Sequence, residues 1–183
     1  MKARLDNWMP EPAVRSVHCR PAAVDPATLW RVAREVRIAD TRTLRRLVTW
    51  RIPGVPDGQT FDELFRGYPF TLLAEGEHWS ISGLCGRIWT LARDYPRLAD
   101  ADEFAAWEEP GTVRVLFAHW TQPAGDGRAE LISEARVQPV DSGAALRLRA
   151  LWAVIGPFER LVGAEPLELA ARLAEDERGL ADR

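Results

Sequence analysis

The sequence predicts a single α+β domain in which an antiparallel sheet carries helices on one face. Three observations lead there. Apolar residues recur at helical spacing in the first third of the chain, at a spacing of two from Phe70 onward, and at helical spacing again near the end. Turn chemistry separates the strand-like runs at hairpin distances, in Gly76-Glu77, Pro123-Ala124-Gly125-Asp126-Gly127 and Asp141-Ser142-Gly143. A chain of 183 residues with 46% hydrophobic content matches one domain with a sizeable core.

Each element has its own justification. Residues 1–13, broken by Pro10 and Pro12, read as a flexible tail, and the domain proper spans 14–175. Val14 to Cys19 alternates apolar and polar as a half-buried strand does, and Pro21 is expected to end it. Asp25-Pro26 supplies an N-cap and a proline at the first helical position, opening a helix over 26–37. Asp40-Thr41 opens a second short helix with Leu44, Leu47 and Val48 as its stripe. Pro53-Gly54 and Asp57-Gly58 turn the chain, and Thr60 with Glu63 gives a capping signal for one more helical turn. Strands are then expected over 70–75, 78–84 and 86–92. A charged stretch over 94–110 holds a short helix at Phe104 and Trp107. A three-stranded meander over 113–122, 129–140 and 144–154 follows. A terminal helix is expected to begin at Gly156-Pro157, with Phe158, Leu161, Val162, Leu169, Ala170 and Leu173 on one stripe and a kink or break at Pro166. Residues 176–183 read as a polar tail.

Composition and motifs exclude several function classes. The 24 basic residues, all arginine except Lys2, are outnumbered by 27 acidic ones, which argues against general nucleic-acid or anionic-lipid binding. No secretory signal pattern and no apolar run long enough to span a bilayer is present, so a cytoplasmic protein without membrane insertion is expected. Cys19 and Cys85 fit no metal or redox spacing and read as small buried hydrophobes. The sequence lacks a phosphate-binding loop, a Gly-x-Ser-x-Gly elbow, a His-Glu-x-x-His and a Cys-x-x-Cys, and no cofactor or metal is expected.

Several segments, taken in order, resemble uncharacterised bacterial members of the SRPBCC superfamily, which includes START domains, birch-pollen-allergen proteins and polyketide cyclases. They are Ala39-Asp40-Thr41 with Arg51-Ile52-Pro53-Gly54, Gly83 to Trp89, Phe104 to Gly111, Leu131 to Val137, and Leu151 to Phe158. The resemblance covers roughly residues 14–174. It implies the helix-grip fold, in which a curved antiparallel sheet wraps around a long C-terminal helix. It also implies a hydrophobic small molecule held between the two. The chain departs from that pattern in two places: Ser133 and Ala135 stand where threonines are common, and Gly163-Ala164-Glu165-Pro166 replaces a basic stretch.

Candidate site residues follow from strand alternation. His119 shares a face with Val113, Val115 and Phe117; it either meets a ligand there as a hydrogen-bonding or proton-moving imidazole, or is a strand-end histidine with no special role. Glu134 and Arg136 lie opposite Leu131, Ser133, Ala135 and Val137. They are expected on the outer surface pairing with Arg147 and Arg149, the alternative being a buried pair facing the ligand. Asp40 reads as a helix cap, the Asp100 to Glu103 cluster as a helix start, and His18 and His78 as isolated residues. Trp30 reads as core. Trp79, Trp89 and Trp152, with Phe117, Ser133 and Phe158, are the expected wall around any guest.

These observations favour a non-enzymatic binder or carrier of a hydrophobic small molecule, as a monomer or homodimer. A cyclase- or dehydratase-type enzyme using His119 beside Ser133 is the second reading. A structural or interaction protein whose core is filled by its own tryptophans is the third.

Overall fold

The computed structural model describes residues 1–46, 56, 58–90 and 95–181, with the side chains of 2, 3, 154–162 and 181 outside that description. The elements are α1 (Lys2–Trp8), β1 (Val14–Ala22), α2 (Pro26–Glu35), a 3-10 turn (Ile38–Asp40), α3 (Phe61–Arg66), β2 (Thr71–Gly76), β3 (Trp79–Gly86), α4 (Ala101–Ala105), β4 (Val113–Gly125), β5 (Arg128–Pro139) and α5 (Ser142–Ala181). The five strands form one antiparallel sheet in the order β1-β5-β4-β3-β2. The long α5 lies against β1 and β5, with α2 packed beside it. This is the helix-grip arrangement the sequence predicts, an antiparallel sheet closed on one face by the last helix. Among the described residues, no helix is long and apolar enough to cross a membrane.

Local chemistry accounts for the elements that match expectation. Asp25 caps α2, accepting from the Ala27 and Thr28 N–H groups at 2.9 and 3.0 Å. Thr60 and Glu63 form the full capping box of α3. The β2–β3 turn falls at Glu77-His78 and the β4–β5 turn at Asp126-Gly127, where Asp126 takes φ 50°. Pro21 does not stop β1, which continues to Ala22. β1 is an edge strand, so a missing N–H on its open side costs no ladder bond.

The strand expected over 144–154 is instead the first third of α5. Leu146, Leu148, Ala150 and Trp152 alternate, but burial follows the helical period: Ala144 and Leu148 are fully buried while Leu146 is 66% exposed. The stretch is built from alanine, leucine and arginine, the strongest helix formers, with no β-branched residue before Val154. Asp141 starts the helix, accepting from the Ala144 N–H at 2.8 Å and from the Gly111 N–H. The helix runs as one element past Pro157, where it was expected to begin, past Pro166, and on to Ala181, through the expected C-terminal tail. The strand expected over 86–92 is a turn at Ile88-Trp89, with 91–94 outside the described residues. The second helix is visible over 43–46, and its Leu47 and Val48 lie outside them.

Both faces of the sheet are covered. Ala129, Leu131, Val115 and Val137 face α2 and α5, which contribute Leu29, Val32, Leu148, Leu167 and Ala170. The opposite face carries Ile81, Cys85, Leu116 and Ala118 under α1 and α4, which add Leu5, Met9 and Phe104. Residues 1–13 are therefore not a loose tail: Leu5 and Met9 are completely buried. Phe104 lies on Gly83, where a Cβ would collide with its ring and with Leu73.

Candidate functional site

Cross-strand register places one polar row in the middle of the face that grips the helix. Ser80 on β3 pairs with His119 on β4, His119 with Ser133 on β5, and Ser133 with His18 on β1. Ser82 and Phe117 stand in the neighbouring row. Ser80, Ser82 and His119 are 6%, 2% and 5% exposed. None of the three has a side-chain hydrogen-bond partner among the described residues, yet all three line one cavity of about 20 Å³. That volume holds about one water, which needs two to four polar partners to be stable in a protein interior.

Aromatic rings and an ion-pair network line this cavity. The His119 ring lies 4.7 Å from Phe61 and 4.6 Å from Phe65, and Phe65 continues to Phe117 at 5.1 Å and Phe70 at 4.9 Å. Burial drives the His119 pKa down to about 3, against a small upward pull from Asp62, so the imidazole is neutral near pH 7. Above the rings, Asp62 Oδ2 accepts from Arg34 at 3.0 Å and from Arg66 at 2.7 Å, and Arg66 also donates to Glu75 at 2.6 Å. The chemistry available is therefore neutral hydrogen bonding inside an aromatic sleeve. Among the described residues no group of three His, Cys, Asp or Glu side chains could hold a metal.

The sequence-predicted residues separate into two regions. Phe117, His119 and Ser133 lie on one face of the sheet, with Ser133 the cross-strand partner of His119, but of the three only His119 lines the cavity. Trp89 also faces the long helix, but at the other end of the sheet with Val113 and Leu148, where the Arg147 guanidinium lies 5.9 Å over its ring. Trp79 is not part of the site; it packs on the opposite face beside Trp120 and under Arg4. Trp152 is a half-buried residue of α5 rather than of a strand, and the Phe158 side chain lies outside the described residues.

Ser80, Ser82, Phe61 and Phe65 were missed. The alternation Ser80, Ser82, Leu84 was readable, but nothing in it says which face of β3 meets the long helix. His18, read as isolated, lies under α5: a Cβ at Gly163 would fall on its ring, so the glycine sets how closely the helix approaches the sheet. Glu165, two residues on, receives the N–H groups of Arg42, Thr43 and Leu44 at 2.6, 2.8 and 3.0 Å. Burial pushes the Glu165 carboxyl upward, and those backbone donors outweigh it and hold the pKa below the ordinary carboxylate range. Glu165 thus caps the 43–46 turn, the role expected of Asp40; Asp40 instead takes both its bonds from Arg37, at 2.9 and 3.1 Å. The unusual Gly163-Ala164-Glu165-Pro166 segment is a docking device between helix, sheet and turn.

Glu134 and Arg136 point away from the long helix, as expected, but not to solvent. Both are 2% exposed beneath α1. Arg136 donates to Glu134 at 2.6 Å, to Asp6 at 2.7 Å and to the Met9 carbonyl at 2.6 Å. Arg15 adds two bonds to Glu134 at 2.8 and 3.0 Å. Their expected partners Arg147 and Arg149 sit on α5 instead. The pair lies on the face away from the His119 cavity and fastens α1 to the sheet. Cys19 and Cys85 are both free thiols, with Cys85 buried and its pKa pushed up to about 12.

No protein-family model and no curated protein matches this chain in sequence. Solved structures align with it over most of their length at low similarity. A hypothetical protein from Helicobacter pylori aligns over 92% of this chain and 93% of its own at 9% identity, with a TM-score of 0.41. The Zhui aromatase/cyclase from Streptomyces sp. R1128 aligns over 87% and 94% at 13% identity and a TM-score of 0.35. A protein from Thermus thermophilus aligns over 92% and 99% at 11% identity and a TM-score of 0.29. These are distant likenesses of fold and assign no chemistry.

Proposed function

We propose that this chain is a divergent SRPBCC-type binding protein for a small, largely apolar molecule. The guest lies between the sheet and helices α2, α3 and α5, with a hydrogen-bonding group at His119, Ser80 and Ser82. One observation carries the reading: three largely buried polar side chains that make no hydrogen bond among the described residues face a single cavity with Phe61 and Phe65 in its wall. Their polar atoms face space that a water can enter, and the polar group of a guest can take that place.

Two other readings are weaker or narrower. An enzyme using His119 as acid or base beside Ser133 has the adjacency it needs, since the two residues are cross-strand partners. However, a histidine whose pKa is about 3 is a poor base near neutral pH, where proton transfer favours a pKa close to the working pH. The filled-core reading draws on the cavity volume, which admits a water but no ligand-sized molecule. In the binding reading, α3 moves outward to enlarge this cavity for the guest.

Native mass spectrometry of freshly purified protein, followed by NMR titration with a panel of small apolar alcohols, phenols and ketones, tests the proposal. The expected result is a non-protein mass or a saturable shift of the His119 ring resonances. A bare chain mass together with unmoved His119 resonances across the panel overturns it in favour of the filled core.

A further inference from the structure

The cavity at His119 adjoins an open cleft of about 500 Å³ between α2, α3 and the β2–β3 turn, and the two share Trp30, Arg34 and Asp62 as walls. We infer that the cleft is the outer half of the same binding site and that it takes the positively charged end of the guest. The guest is then an organic cation with a neutral, hydrogen-bonding, apolar end. This rests on the reading of His119 as the inner contact.

The two halves offer different chemistry. Inside, a neutral imidazole and two serine hydroxyls can each donate or accept, and the surrounding phenylalanines favour a flat apolar body. A hydroxyl, carbonyl or amide fits there, since the charged groups that reach this cavity, Asp62, Arg34 and Arg66, are already paired with one another. Outside, the cleft is lined by four carboxylates, Glu35, Asp62, Glu63 and Glu77, against two guanidiniums, Arg31 and Arg34. Both guanidiniums are already committed. Arg31 is bonded to Glu35 and Glu177, and Arg34 to Asp62 at 3.0 Å. An anionic guest meets a lining with two more carboxylates than guanidiniums. A cationic guest breaks none of these pairs and finds Glu77, which is 89% exposed, at the cleft's rim. The buried Nδ1 of His78, next to Glu77 and also on the cleft wall, has no hydrogen-bond partner.

Three probes of one shape separate the possibilities: tyramine, 4-ethylphenol and 3-(4-hydroxyphenyl)propionate. All carry the same phenol, with an ammonium, no charge and a carboxylate at the other end. Titration is followed through the His119 ring resonances, in the full-length wild type and in Glu77→Lys, an exposed change that leaves the fold intact. The expected order is tyramine tightest and the propionate weakest. Glu77→Lys should weaken tyramine about two- to fivefold, the strength of an exposed ion pair, and leave 4-ethylphenol unchanged. Equal binding of all three, or tightest binding of the propionate, overturns the charge assignment while His119 remains the inner contact. No shift of His119 with any probe overturns both.

Discussion

The two faces of the sheet both bury polar side chains, and they treat them in opposite ways. Under α1, Glu134, Arg136, Arg15 and Asp6 form a closed network in which the buried charges have partners at 2.6–3.0 Å. Under α2, α3 and α5, His119, Ser80 and Ser82 are comparably buried and have none among the described residues. A satisfied buried network fixes structure; unsatisfied groups around a cavity leave room for something else to bond. The difference gives one face a structural role and leaves the other as the face of the proposed binding site, although the more conspicuous charges lie on the structural side.

Arg136→Met is the sharpest way to break that comparison and carries the largest expected effect. It leaves the Glu134 carboxylate buried with only Arg15 as partner, and removing one member of a buried pair typically costs about 3–5 kcal/mol. Denaturant unfolding measures it. A loss below about 1 kcal/mol would mean that α1 is only loosely attached and that its ion pairs are ornamental.

Acid titration separates the faces by pH. His119 is held near pKa 3 when folded and returns to about 6.5 when unfolded. Its contribution to stability is complete above pH 6.5. As pH falls, the unfolded chain takes up a proton that the folded chain refuses, and stability drops by about 1.4 kcal/mol per unit toward pH 3. Between pH 6.5 and 4.5 the loss is about 2–3 kcal/mol, and His119→Asn should flatten that slope. Glu134 behaves differently. Burial pushes its pKa up, but bonds from Arg15 and Arg136 outweigh that and hold it below the usual carboxylate range. Its contribution is complete above the usual carboxylate range and is lost as the pH falls through that range toward the lowered folded value. A wild-type stability that stays flat from pH 6.5 to 4.5 would show that His119 is solvated.

The capped helices, the hairpins and a long gripping helix were legible because capping residues, turns and a change of period are local signals. Asp25-Pro26, Thr60 with Glu63, and the two hairpin turns each act within a few residues. What failed depends on tertiary choice. Residues 144–154 satisfy alternation and helical spacing at once, and only their alanine-leucine-arginine content favoured the helix. Alternation put Glu134 and Arg136 opposite the core face correctly, but it cannot reveal that α1 returns to cover them. Of the cavity's lining, His119 was visible along its own strand; Phe117 and Ser133, also named, lie beside it without lining the cavity. Ser80, Ser82 and His18 join them only through register, which no single strand contains.

Gly163 tests the fit between helix and sheet at the edge of the polar row. In an ordinary helix Gly→Ala stabilises by about 1 kcal/mol. Here the new Cβ meets the His18 ring, and overpacking of this kind costs about 1–3 kcal/mol, so Gly163→Ala should destabilise. His18→Ala should restore the ordinary sign, giving a coupling of at least about 1 kcal/mol in a double-mutant cycle. Additive effects would place α5 farther from β1.

Ser82→Ala has the smallest expected effect on stability and the most direct bearing on function. If the Ser82 hydroxyl bonds nothing in the protein, removing it relieves an unpaired polar group in aromatic surroundings. Stability should then stay level or rise by up to about 1 kcal/mol. The same change should weaken binding of a phenol or ketone at His119, because one of three hydrogen-bonding groups is gone. Stability and affinity moving in opposite directions is the signature of a group kept for a guest at a cost to the fold. A clear loss of stability with unchanged affinity would make Ser82 part of a structural network, and the two faces of the sheet would then differ in charge alone.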